Sequence, residues 1–487
     1  MRSKTRIVSA IVLAVALALV ASASSLAQST TKQLTTNFTL VNLGSGNATG
    51  TISYIKPDGS SWGSENFTIP GNGGQAIFRQ YDPSGSPGNP GLTSGAGSVM
   101  VMADQPLGAV VQILARGQNP TSSGAYAGIS TGDSSFFVPL VAKQLTTATG
   151  IGNSQIIVQN TGSAAVTANF TLNGAGGPYT FSSPSIAPGA SYTCDLAPNS
   201  NPPCGAAVPN NWFGSAVVTS TGTIAVVSNF FTGDALQTFN AFSSTAPKTK
   251  WFVPLFTSRL TNSLSSPITV QNVSGSTIPA NGIQVACTPD AGAPPGLTPF
   301  TKSNTNPVPN NESFIVNPVT DTSISAGFFG SCVITAPANV VAFVQLRFVA
   351  TGEAASYEAI PDGGTDTKVI IPLIAKRLPN GFATAVTIQN LSNSPANVTL
   401  TYTPSSGSPP IAPISATIPA NGSLIQNHRI TAGTGAVPQL PDGWVGTLTV
   451  SSNTPINAFV QLTFLNSINP NLPGGDNFMA HNAFTQP

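Results

Sequence analysis

The feature that most constrains this chain is a repeat with a period near 115 residues. Phe136-Phe137-Val138-Pro139-Leu140, ending in Lys143-Gln144-Leu145, returns as Trp251-Phe252-Val253-Pro254-Leu255 with Ser258-Arg259-Leu260. It returns again as Val369-Ile370-Ile371-Pro372-Leu373 with Lys376-Arg377-Leu378. Lys32-Gln33-Leu34-Thr35-Thr36 matches Lys143 to Thr147, so a first unit keeps only the tail of this motif. Val158-Gln159-Asn160 recurs as Val270-Gln271-Asn272 and Ile388-Gln389-Asn390, with Val41-Asn42 as the first copy. Asn211-Trp212-Phe213-Gly214, Gly327-Phe328-Phe329-Gly330 and Gly443-Trp444-Val445-Gly446 follow in the same order within their units. Ala342 to Phe348 matches Ala458 to Phe464 almost residue for residue.

Solenoid repeats run to about 20–50 residues, so this period describes whole domains with their own cores. The expected organisation is a leader at 1–27 and four units at 28–132, 133–247, 248–366 and 367–487. Ser243 to Pro247 and Pro361 to Thr365 read as short linkers that keep neighbours close. Val344, Leu346 and Phe348 alternate with Phe343, Gln345 and Arg347, the period of a strand. Thr447 to Val450 alternates too, and Asn453-Thr454-Pro455 then predicts a hairpin turn. Turn residues recur every 8–15 positions, and the leader is the only long unbroken run that suits a helix. The expected fold class is all-β: four tandem β-sandwiches of seven to nine strands each.

On length, alternation and tandem arrangement, the mature chain resembles tandem immunoglobulin-like or fibronectin-III-like domains of secreted bacterial surface proteins. The cysteine–tryptophan–cysteine pattern of antibody domains is missing, and a jelly-roll topology stays open. The resemblance implies sandwiches that serve at a cell surface.

Arg2, Lys4 and Arg6 precede an apolar run from Ile7 to Ala21, and small-residue sites follow at Ala21-Ser22-Ala23 and Ser25-Leu26-Ala27. This is the pattern of an export signal, with the preferred cut after Ala27. The run is shorter than the roughly 20 residues that span a bilayer, and no later apolar stretch is long enough, so no transmembrane segment is expected after processing. Four cysteines in an exported chain predict disulfides. Two fall in each of two units, which favours Cys194–Cys204 and Cys287–Cys332. Charged residues make up only 7% of the chain and the net charge is +1. No basic surface for nucleic acid exists, and weak repulsion between copies favours association.

Chemistry is sparse. His428 and His481 are the only histidines. They share the fourth unit with Asp442 and Asp476, but no Gly-x-Ser-x-Gly elbow is present. Glu353 and Glu358 flank a predicted turn, and Asp362 with Asp366 offers two carboxylates, few for a calcium site. No catalytic, cofactor or metal residues are assigned, and no enzyme activity is expected. Trp62, Trp212, Trp251 and Trp444 are candidate stacking platforms for sugars, although Trp212 and Trp444 share a repeat position that suits packing. Asn160, Asn272 and Asn390 are expected to close strands with Asx-type turns, tolerating left-handed geometry. The expected function is a secreted, cell-surface, non-catalytic structural or adhesive protein that associates with itself or with other surface proteins. Its alternative is an array of carbohydrate-binding modules. Four sandwiches stacked end to end would make a rod of roughly 150 Å.

Overall fold

In the computed structural model the described residues are 11–15, 34–71, 73–79, 92–93, 95–115, 120–198, 204–290, 292–405 and 407–486. Their regular structure is all strand, and none of their segments is a helix long and apolar enough to cross a membrane. Every ladder lies within one of four successive stretches, 35–127, 133–243, 248–361 and 368–486, apart from one strand, Ile11–Val15, which joins the first. These stretches are called units one to four below.

Each unit has two β faces. In units one and four they are separate antiparallel sheets. In units two and three a single 21-residue strand, Trp212–Thr232 or Phe328–Phe348, passes from one face to the other. Its first half pairs with the strand carrying the Pro-Leu motif, as in Val217 opposite Phe137. Its second half pairs with the strand carrying the Gln-Asn motif, as in Val227 opposite Ile157. This corrects the expected hairpin at Asn453-Thr454-Pro455. The strands on either side, Val445–Ser452 and Ile456–Phe464, belong to different sheets. Period-2 alternation identifies both strands but does not say which partner each takes.

The outer faces follow simple patterning. In Ala396–Pro404, Ala396, Val398, Leu400 and Tyr402 are buried while Asn397, Thr399, Thr401 and Thr403 are exposed. Inner strands do not alternate: all nine residues of Phe382–Asn390 are buried. A strand buried on both sides needs cover on both sides, and neighbouring units supply it.

Lys248–Ser258 of unit three packs on Phe382–Asn390, and Asp133–Lys143 of unit two packs on Ile268–Asn272. Four further equivalent strands meet at the centre: Ser123–Ala127, Ala235–Asn240, Ala354–Glu358 and Phe478–Asn482. Each packs against the next, and the last packs against the first. Tandem order therefore closes into a ring around these axial strands, and the end-to-end rod is overturned. Short linkers keep successive units in contact, but the buried axial faces decide the direction of stacking. Units two and three share one continuous apolar cluster, which also takes in Phe459, Phe478 and Ala480 of unit four.

Two further expectations change. Ala354–Glu358, read as a turn between Glu353 and Glu358, is an axial strand. Within the leader, Ile11–Val15 is a strand rather than part of a helix. The rest of the leader and both cleavage sites lie outside the described residues.

Candidate functional site

The residues singled out in the sequence are mainly structural. Trp212, Trp251 and Trp444 are 3%, 1% and 1% exposed, so none offers a ring face to a ligand. Each indole donates to a main-chain carbonyl: Trp212 to Ala175 (3.0 Å), Trp251 to Val340 (2.9 Å) and Trp444 to Pro409 (2.9 Å). The Gly two residues after each aromatic of the Trp/Phe-x-Gly motif has a reason. A Cβ on Gly214, Gly330 or Gly446 would lie 2.1 Å from a carbonyl oxygen on the adjacent strand, and the Trp212 and Trp444 rings also cover Gly214 and Gly446. Trp62 is half-buried and donates to Thr93 Oγ1 at 3.0 Å. Cys194 is bonded to Cys204, and Cys287 to Cys332, which stands directly opposite it across a strand pair.

The candidate catalytic groups do not converge. His428 lies between Thr384 Oγ1 (3.2 Å from Nδ1) and the Tyr402 hydroxyl (3.0 Å from Nε2), and burial pushes its pKa down to about 3. His481 sits on the axis, where burial lowers its pKa to about 4. Asp442 pairs with Arg377 (3.1 Å), and Asp362 with Lys250 (3.7 Å). Among the described residues no three His, Cys, Asp or Glu side chains stand together as a metal site would require.

The Gln-Asn motif is a joint. Asn42, Asn160, Asn272 and Asn390 each accept from a main-chain N–H two residues on. Each also donates to the carbonyl four residues on and to a second strand at Ile69, Ile186, Val308 or Ile418. This is the expected Asx turn, but the left-handed conformation is elsewhere, at Gly189, Asn311 and Asn421. Those three carbonyls meet both sides of a joint. Gly189 O accepts from Gln159 of its own unit and from Ser98 of unit one. Asn311 O accepts from Gln271 and from Ser215 of unit two. Asn421 O accepts from Gln389 and from Ser331 of unit three. Gln159 and Gln271 also reach back to Val99 O and Ala216 O of the preceding unit. Ser313 and Ser423 donate to the motif prolines of the preceding unit, Pro139 O (2.7 Å) and Pro254 O (2.6 Å). The recurrence of Gln was visible in the sequence, but its partners in another unit were not.

Asp476 of unit four ties the axis together. Its carboxylate accepts from Leu236 N of unit two (2.8 Å), Ala354 N of unit three (3.3 Å) and Phe478 N of its own unit (3.2 Å). Its carbonyl accepts from the Thr121 and Ser123 hydroxyls of unit one. Burial, with nearby Glu353 adding to it, raises its pKa well above the usual carboxylate range. Glu358 accepts from Asn240 N of unit two, and burial pushes its pKa up to about 7. A cleft of about 640 Å³ opens between units three and four, with Phe348 and Glu353 on one side and Arg377, Arg429 and Phe464 on the other. Arg429 Nε donates to Asn427 Oδ1 at 2.9 Å.

No family model matches the chain, and no curated protein matches its sequence. Among solved structures it is similar to the crystal structure of a tetra-tandem repeat in the extending region of a large adhesion protein. That match has 14% identity over 92% of this chain and 93% of the other, with a TM-score of 0.10. A second is Escherichia coli alpha-2-macroglobulin activated by porcine elastase, with 8% identity over 91% of this chain and 41% of the other, and a TM-score of 0.11. TM-scores of this size carry no argument about function or about how the units are arranged.

Proposed function

We propose that this chain is a secreted, non-catalytic structural or adhesive protein of the cell surface, with the leader at 1–27 removed on export. The domains at 28–132, 133–247, 248–366 and 367–487 act as one rigid ring-shaped block, which associates with further copies or other surface proteins. The observation that carries this reading is the destination of the buried polar groups. Gln159, Gln271, Asp476 and Glu358 bond across units, the use expected of a scaffold that must hold one shape. A catalytic site would instead gather such groups around an accessible reacting centre.

The carbohydrate-binding alternative rests on the cleft rather than on the tryptophans. There Arg377, Arg429, Glu353 and two phenylalanines supply polar and apolar surface in one concavity. Exported protein should be examined by analytical ultracentrifugation, electron microscopy and glycan-array binding. Concentration-dependent assembly without glycan retention is the expected result. Saturable glycan binding by a protein that stays monomeric would replace the scaffold reading with the alternative.

A further inference from the structure

In units two, three and four the opening strand pairs in one fixed register, with Phe242–Ser243, Ile360–Pro361 or Phe484–Gln486 on its other side. Phe136 stands opposite Val218, Trp251 opposite Ile334 and Val369 opposite Val450. Two residues on, Val138 stands opposite Ala216, Val253 opposite Cys332 and Ile371 opposite Leu448. In unit one the residues equivalent to those paired with the opening strand are Val101 and Val99. Val101 pairs on its other side with Ile52, as Val218 does with Phe170 and Val450 with Leu400. Val101 and Val99 are buried, and they stand opposite Leu13 and Val15. Leu13-Ala14-Val15 therefore takes the register that Phe136-Phe137-Val138, Trp251-Phe252-Val253 and Val369-Ile370-Ile371 take in the other units.

That triplet belongs to the leader. A cut after Ala27 leaves only Gln28 to Thr31 ahead of Lys32-Gln33-Leu34, which matches Lys143-Gln144-Leu145. Those four residues correspond to 139–142, so cleavage removes the triplet that stands opposite Val99 and Val101. The edge it would leave, Ser98–Ala103, reads Ser-Val-Met-Val-Met-Ala. It has no Lys, Pro or inward charge of the kind that blunts natural sheet edges, and Met102 is 46% exposed beside it.

We propose that the processed protein offers Ser98–Ala103 as an acceptor edge for an extended segment of a partner polypeptide. The inference rests on the proposed removal of the leader. The chemistry of the occupant follows from the four segments seated at this register: all are uncharged, and large apolar residues stand at alternate positions. Main-chain hydrogen bonds to the edge would supply affinity, and apolar side chains over Val99 and Val101 would supply specificity. The site also adjoins a joint. Ser191 of unit two pairs with Gln159 as Ser313 pairs with Gln271 and Ser423 with Gln389. It thus holds the place of the serines that bond to the motif prolines in the later joints.

The test uses exported protein whose N-terminus is read by mass spectrometry, beside unprocessed chain made without export in an oxidising cytosol. The probe is a synthetic peptide of residues 133–143, with a control carrying Phe136→Asp and Val138→Asp. For the processed protein, saturable binding is expected, with a melting-temperature rise of roughly 2–8 °C at saturation. Amide exchange at 98–103 should slow at least tenfold, and neither the control peptide nor the unprocessed chain should show these effects. Absence of binding to correctly processed protein would overturn the proposal while leaving export intact. Protection of 98–103 in a processed dimer without peptide would assign the edge to a second copy instead. An exported protein that keeps residues 1–27 would refute leader removal, and with it the open edge.

Discussion

Asp476→Ala is the most direct test of the ring. The substitution orphans the N–H groups of Leu236, Ala354 and Phe478, two of which belong to other units. Each buried donor left unpaired costs about 1–3 kcal/mol. Part of that is offset, because the burial that raises the Asp476 pKa also makes the carboxylate costly to keep. A net loss of about 3 kcal/mol is the working figure. If the loss is confined to opening of the axis, amides on Ala235–Asn240 and Ala354–Glu358 should exchange about 100-fold faster. Native-state hydrogen exchange with peptide-level readout measures this directly. Asp442→Ala is the control, since it breaks only an ion pair whose acid is exposed, of the kind worth less than about 1 kcal/mol. Asp476→Ala exchange on these two strands that matches Asp442→Ala would refute the role assigned to Asp476.

Four further outcomes follow from the same structure. Trp444→Ala empties a fully buried site against Tyr402 and should cost about 3–5 kcal/mol, seen as early melting of unit four in calorimetry. Glu358 has a folded pKa near 7, above its unfolded value of about 4.3, so the stability it contributes is fully present below about pH 4.3 and is lost as pH rises through 7. Glu358→Gln should therefore be neutral at pH 4.5 and stabilising by about 1–2 kcal/mol at pH 8, with thermal scans at both values as the check. His428 and His481 act in the opposite sense: their folded pKa values lie below about 6.5, so their contribution is present above that pH and is lost as pH falls toward 4 and 3. The Cys287–Cys332 bridge closes 45 residues and should contribute up to about 4 kcal/mol against about 3 for Cys194–Cys204, compared by denaturation of the two Cys→Ser double variants.

Much of the local structure was legible because local chemistry sets it. The alternation in Ala396–Pro404, the Asx turns at Asn160, Asn272 and Asn390, and the cysteine pairings all follow from residues that act within one unit. What the sequence hid is carried by contacts between units. Gln159 and Gln271 look like strand ends until the carbonyls of Val99 and Ala216 are placed beside them. Ala354–Glu358 is short, rich in small residues and flanked by two acids, so it reads as a turn. It is a strand because three other units cover it. The rod failed for the same reason: Ser313 and Ser423 donate to Pro139 O and Pro254 O of the preceding unit, contacts that repeat spacing alone does not show. Among the four candidate platforms, Trp212 and Trp444 share one buried position of the repeat and Trp251 occupies another, equivalent to Phe136 and Val369; neither position is distinguishable from a binding face until burial is known.

Closure from unit four back to unit one is the joint least like the others, and it can be tested alone. Val41 replaces the joint Gln, and Gln75 takes the place of Ser313 and Ser423. Gly73 N donates to Asn42 O as Asn311 N does to Asn272 O, so Gly73 stands where Asn311 and Asn421 stand in the later units. Across this joint Thr447 holds the place of Ser331, and its hydroxyl lies 3.9 Å from where a Cβ on Gly73 would be. Away from the axis, Gln75 Nε2 reaches Ser405 Oγ at 3.5 Å and Gln486 Nε2 donates to Leu43 O, while at the axis Thr121 and Ser123 bond to residues 474–477. Packing adds to these bonds: the Phe484 ring lies over bare Gly108, where a Cβ would come within 2.8 Å of it. Gly108→Val should therefore overpack the closing joint by about 1–3 kcal/mol while sparing the core around Trp444. Small-angle scattering is expected to show a larger radius of gyration, with faster exchange on Ser123–Ala127 and Phe478–Asn482 and unchanged near-ultraviolet tryptophan signals. An unchanged radius with full protection of both strands would mean that Phe484 does not close the ring and that the axial contacts alone hold units one and four together.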